Sequence, residues 1–111
     1  MIFLMTDRKK LSRAQGRADL LKAMAHSSRL LILDALAEGD RCVCELHAVV
    51  GGDMSTVSKH LSVLRNAGLV TDQRRGTQIF YHLECPCINN LLACVESTAR
   101  EAIRVRMAAL Q

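Results

Sequence analysis

The residues best able to do chemistry in this chain are its five cysteines, and they are not evenly scattered. Two form Cys42-Val43-Cys44, two form Cys85-Pro86-Cys87, and the fifth is Cys94. In a reducing compartment these are free thiols, so metal ligation or thiol redox chemistry fits them better than a disulfide framework. Side chains two residues apart on an intact helix point ~200° away from each other. Cys42 and Cys44 can therefore grip one soft ion only if a helix start unwinds or the pair lies in extended chain. Pro86 suits the first position of a helix, whose N-terminal dipole would favour a thiolate at Cys85 or Cys87. Cys87 and Cys94 would share a helix face yet lie ~10 Å apart along its axis, too far to hold one small ion without a bend. Cys94, at helical spacing among apolar neighbours, also reads as core packing.

The elements that must position these thiols follow from periodicity. Residues 1–10 are expected to form a flexible, charge-ended N-terminal arm, with one folded domain over 11–111. Leu11, Ala14, Ala18, Leu21 and Ala25 keep a helical period, and Ser27 or Ser28 can cap the next helix, which carries Leu30 to Leu36 and stops at Gly39. A short helix over Cys42 to Val50 ends at Gly51-Gly52, and Asp53 caps a fourth helix, Met54 to Asn66. Its apolar stripe is Val57, Leu61 and Leu64, with Ser55, Ser58, Lys59, Ser62 and Asn66 opposite. "LVTDQRRGTQIFYHL" then reads as two strands about a turn at Arg74 to Thr77, and Pro86 to Leu110 as a long final helix. The expected fold is mainly α (α+β): a winged helix-turn-helix of about five helices with a two-stranded β-hairpin wing, dimerising through the first and last helices.

That architecture gives the polar faces a purpose. A helix in the major groove presents Ser55, Thr56, Ser58, Lys59 and Ser62 to base edges and phosphates, while Arg74 and Arg75 at the wing tip reach an adjacent groove or backbone. His60 joins this candidate contact set, although its place beside the apolar stripe also suits a hydrogen-bonded structural histidine. The formal charge of +4 and pI near 9.0 suit a polyanionic partner. Scarce aromatics argue against a base-stacking platform for single strands or RNA. The apolar face of the last helix (Ile88, Leu91, Leu92, Val95, Ala99, Ile103, Met107) is longer than a single small core needs, which points to a homodimer and a palindromic double-stranded operator. No apolar run is long enough to span a bilayer, and a cytoplasmic location without membrane association is expected.

Four segments carry a family resemblance: "MAHSSRLLILDAL", "RCVCEL", "STVSKHLSVLRNAGLV" and "RRGTQIFYHL". They resemble successive signature blocks of the ArsR/SmtB family of metal-responsive winged-helix repressors, over about Ala18 to Leu83. The resemblance implies a homodimeric repressor that leaves its operator when an inducer binds, with Ser55, Thr56, Ser58, Lys59 and the wing arginines on DNA. It also implies that Cys42 and Cys44 form the arsenic, cadmium or lead site, which Cys85, Cys87 or Cys94 could complete. Arsenite or antimonite is the first expectation as inducer, a soft divalent ion such as cadmium or lead the next, and no organic cofactor is expected. This chain departs from the pattern at His47, where arsenic sensors often have a third cysteine. It also lacks any histidine in "CVESTAREAIRVR", where other members hold zinc. A thiol redox or persulfide sensor of the same fold is the alternative. An enzyme is disfavoured, because no anion-cradling loop or acid–base cluster accompanies a cysteine.

Overall fold

A computed structural model describes the backbone of residues 2–111 and the side chains of residues 7–111. In chain order the elements are α1 (Ile2–Met24), α2 (Ser27–Ala37), β1 (Arg41–Cys42), α3 (Val43–Val50), α4 (Met54–Asn66), β2 (Val70–Arg75), β3 (Gln78–Leu83) and α5 (Ile88–Ala109). The core is small. Ile32, Leu33 and Leu36 of α2 meet Leu46 of α3, the Val57, Leu61 and Leu64 stripe of α4, and Leu69, Val70, Tyr81 and Leu83 at the base of the wing. Each fully buried aliphatic side chain contributes about 1.5–3 kcal/mol, so α4 is held by the stripe that its sequence period announces.

The helix boundaries show where local chemistry departs from expectation. α1 runs without interruption through residues 2–10, where an arm was expected, because neither proline nor glycine occurs before Gly16 to break it; Met1 lies outside the described residues. α2 is capped by His26 rather than by a serine: its ring Nδ1 accepts the Ser28 backbone N–H at 3.1 Å. α3 begins at Val43, one residue later than expected, with Cys42 as its extended N-cap. The Glu45 carboxylate reaches back to accept the Cys42 backbone N–H at 3.2 Å, the return arm of a capping box. Gly51 and Gly52, with φ of 78° and 73°, make the left-handed turn that swings the chain into α4. Asp53 is the N-cap of α4, but its carboxylate makes no capping bond.

The sheet has three antiparallel strands in the order β1-β3-β2, one more than the expected hairpin. Arg41 pairs with Tyr81 and Cys42 with Phe80, so the residue that caps α3 also belongs to the base of the wing. Across the hairpin Arg75 pairs with Gln78, leaving Gly76-Thr77 as a two-residue loop whose first position has a φ of 64°. α5 starts after a turn at residues 85–87, with Cys87 rather than Pro86 beside its first residue. Only Ile88 of α5 is buried and Leu92 packs partly on the core; the rest of the helix projects into solvent. The radius of gyration is accordingly 17.7 Å, against about 13 Å for a compact chain of this length.

Candidate nucleic-acid interface and thiol groove

The helix period sorts α4 cleanly into two faces. Ser55, Thr56, Ser58 and Lys59 are exposed, and Ser62 is half-buried, so this hydroxyl-rich and basic surface lies opposite Val57, Leu61 and Leu64. His60 belongs to the other face, which corrects its inclusion among DNA contacts. It is buried with its Nδ1 3.3 Å from an Arg29 guanidinium nitrogen and its ring centroid 4.4 Å from that of His26. Burial, then the charges of His26 and Arg29, lower its pKa and favour the neutral ring. His60 therefore locks the recognition helix to the start of α2.

The wing tip divides its two arginines. Arg74 is exposed. Arg75 instead donates to Asp40 Oδ2 at 2.8 Å and lies 4.7 Å from the centre of the Phe80 ring. The other Asp40 oxygen is 2.6 Å from His82 Nδ1. Hydrogen bonds from His82 and then Arg75 hold the Asp40 carboxyl below its ordinary range. This triad was not visible in the sequence, since its members are 35 and 42 positions apart; the β1–β3 register brings Asp40 beside His82.

The cysteines are split as well. Cys42 is buried at 5% exposure, whereas Cys44 is exposed, as expected of residues two apart at a helix start. Both line one groove of about 380 Å³ between the start of α3, the first turns of α4 and the wing, together with Met54, Ser58 and Ile79. Hydrogen bonding from Cys42, thiol first and backbone N–H second, holds the Glu45 carboxyl below its ordinary range. Cys85, Cys87 and Cys94 are exposed, which overturns the core reading of Cys94 within the single chain. His47 is not turned to the cysteine pair; its Nε2 lies 2.6 Å from the Gly52 carbonyl and ties α3 to the turn before α4. Among the described residues no three His, Cys, Asp or Glu side chains come together as a metal-holding group. One chain therefore does not gather Cys42 and Cys44 with Cys85, Cys87 or Cys94. Among those residues, too, no helix is long and apolar enough to cross a membrane.

Comparison with known proteins agrees with this geometry. Residues 26–72, from the cap of α2 to the first wing strand, match the family described as bacterial regulatory protein, arsR family. The uncharacterized HTH-type transcriptional regulator Rv0081 of Mycobacterium tuberculosis is 38% identical over 96 residues, 86% of this chain and 84% of the relative. Its crystal structure superposes with a TM-score of 0.74 at 37% identity, covering 82% of this chain and 92% of that one. A transcriptional repressor SmtB homolog of Synechocystis is 36% identical over 92 residues, 83% of this chain and 70% of that protein. The homodimeric winged helix-turn-helix DNA-binding domain Mb0332 of Mycobacterium bovis, solved in solution, gives a TM-score of 0.73 at 34% identity, covering 86% and 88% of the two chains. These relatives are transcriptional regulators, not enzymes. With its exposed hydroxyl-rich helix, its wing and relatives matched over most of their length, this chain belongs to the ArsR/SmtB family of DNA-binding winged-helix transcriptional repressors.

Proposed function

We propose that the chain acts as a homodimeric repressor that leaves a palindromic operator when a thiophilic metal(loid) ion binds the thiolates of Cys42 and Cys44. One observation carries the reading: Cys42 is at once the N-cap of α3, a donor to Glu45 and the partner of Phe80 on the wing. A Cys42 thiolate can no longer donate to Glu45 and repels its carboxylate. Turning Cys42 and Cys44 towards one ion also unwinds the first turn of α3. Ion capture and the capped start of α3 thus exclude each other, and the cost falls on α3, which packs against α4, and on the base of the wing. Ser55, Thr56, Ser58 and Lys59 hold the major groove, with Arg74 on the flanking backbone. Arsenite and antimonite take three thiolates and cadmium or lead three or four sulfur donors, so these ions recruit Cys85, Cys87 or Cys94, within a rearranged chain or across the dimer.

A second reading, thiol oxidation to a disulfide or polysulfide link, is favoured by the exposure of four of the five cysteines. One experiment separates the two. The reduced protein, bound to a fluorescent operator without oxygen, is titrated with arsenite, with cadmium and with a mild oxidant. Release by an ion at one equivalent per chain, lost in Cys42→Ser/Cys44→Ser while operator binding persists, supports the ion sensor. Release by the oxidant alone moves the function to redox sensing. Loss of operator binding in the double variant without any ion makes the pair structural and ends both readings for it.

A further inference from the structure

Met54 continues the apolar stripe of α4 to its first turn, yet it is not buried with the rest of that stripe. It is the first residue of α4, 40% exposed, on the helix that faces DNA. Its side chain lines the same groove as Cys42 and Cys44, so three sulfur-bearing side chains from three elements, β1, α3 and α4, border one space of about 380 Å³. The remaining walls are Val43, Leu61, Ile79 and Tyr81 together with the polar Ser58, Thr77 and Gln78. Among the described residues the groove offers no third thiolate, imidazole or carboxylate to that pair as a metal-holding group.

Donor count and donor type decide which ion suits such a set. Arsenite, cadmium and lead need a third strong, anionic or imidazole donor. Copper(I) and its redox-inert analogue silver(I) are satisfied by two thiolates, and neutral thioethers bind such soft ions where they bind few others. Two thiolates already leave a monovalent ion at a net charge of −1, so a neutral thioether can complete its shell without adding further negative charge. We infer that Met54 is the third sulfur ligand of the Cys42–Cys44 site, and that the site selects a monovalent coinage-metal ion. This rests on the reading of Cys42 and Cys44 as ion ligands and puts a monovalent coinage metal in place of arsenite or cadmium as the inducer. It also gives that ion a direct hold on the operator-reading surface. Met54 lies one turn before Ser58 on the same face of α4, so a Met54–metal bond pins the first turn of the recognition helix to the start of α3.

The test uses the reduced full-length chain and silver(I), with a chromophoric chelator as competitor and X-ray absorption at the silver edge. One silver ion per chain with three sulfur neighbours is expected. Met54→Leu, which keeps volume and apolarity, should weaken silver binding roughly 10–100-fold, the range in which removing a group that supports a metal site falls. It should also drop the sulfur count to two. Cadmium affinity should not change. Selenomethionine labelling gives a readout independent of substitution, since a silver neighbour should appear at the selenium edge. Unchanged affinity, two sulfur neighbours in the parent protein, or no selenium–silver contact overturns the role of Met54 while leaving the thiolate site standing. Undiminished silver binding in Cys42→Ser/Cys44→Ser instead sinks the thiolate reading on which the proposal depends.

Discussion

His60 shows how one buried ring can set the pH range of a recognition helix. Its Nδ1 faces an Arg29 guanidinium nitrogen and its ring packs against His26, so a proton on His60 would sit between two other cationic or proton-binding groups. Arg29 Nε, moreover, is buried with no hydrogen-bond partner among the described residues, so the cluster has no spare acceptor to absorb added charge. Because the folded pKa is lowered, the stabilising contribution is complete above the unfolded value of about 6.5 and is lost as pH falls below it. Thermal unfolding should therefore occur at lower temperature at pH 5.5 than at pH 7.5. In His60→Gln that pH dependence should shrink while stability at pH 7.5 falls. Parallel pH profiles for the two proteins would place the titration elsewhere. The helical wheel of α4 set His60 beside the buried stripe, so its burial was legible; its partners His26, the cap of α2, and Arg29, in the first turn of α2 and 31 positions earlier, were not.

At the scale of elements, the wing is anchored rather than merely extended. Asp40, in the α2–β1 connection, accepts from Arg75 and bonds His82, which fixes β2 and β3 against the start of the sheet. Arg75 and Arg74 are both exposed, but Asp40 competes with phosphate for Arg75, whereas Arg74 makes no ion pair among the described residues. The salt dependence of operator affinity should separate them, because each phosphate contact adds about 0.9 to the slope of log Kobs against log salt. Arg74→Ala should reduce the slope by about that amount, Arg75→Ala by much less, and Asp40→Asn should raise it by releasing Arg75. Equal losses for the two arginines would show that Asp40 yields Arg75 to DNA. The same elements mark where sequence stopped being informative. α4 and the hairpin were readable because thirteen residues of helical period and a Gly-containing turn leave few alternatives. β1 was not, because two residues carry no period; only pairing with β3 makes Arg41–Cys42 a strand. That missed strand is what takes Cys42 out of α3 and into the groove.

The single chain leaves apolar stripes on its two longest helices uncovered. Leu11, Leu20 and Leu21 of α1 and Leu91, Val95, Ile103 and Met107 of α5 are all exposed, and among the described residues α5 joins the core through Ile88 and Leu92. Most of a helix's stability in a protein comes from packing its apolar face, and large exposed apolar side chains that form stripes mark an interface. The homodimer proposed above would cover these stripes. A twofold pair joined through α1 and α5 would place two α4 helices on one face for a palindromic operator and double the charge of +4 per chain. Leu91→Glu combined with Val95→Glu adds charge to two positions that are 41% and 53% exposed in the chain, so the core of α2, α3 and α4 should survive it. Sedimentation should report twice the chain mass of 12.3 kDa for the parent protein and the single chain mass for the variant. Circular dichroism should show lost helix, as α5 loses its partner, and operator affinity should collapse because one recognition helix cannot span two half-sites. A variant that remains a dimer with full operator affinity would move the interface off α5. A parent protein that binds its operator as a single chain would remove the twofold argument altogether.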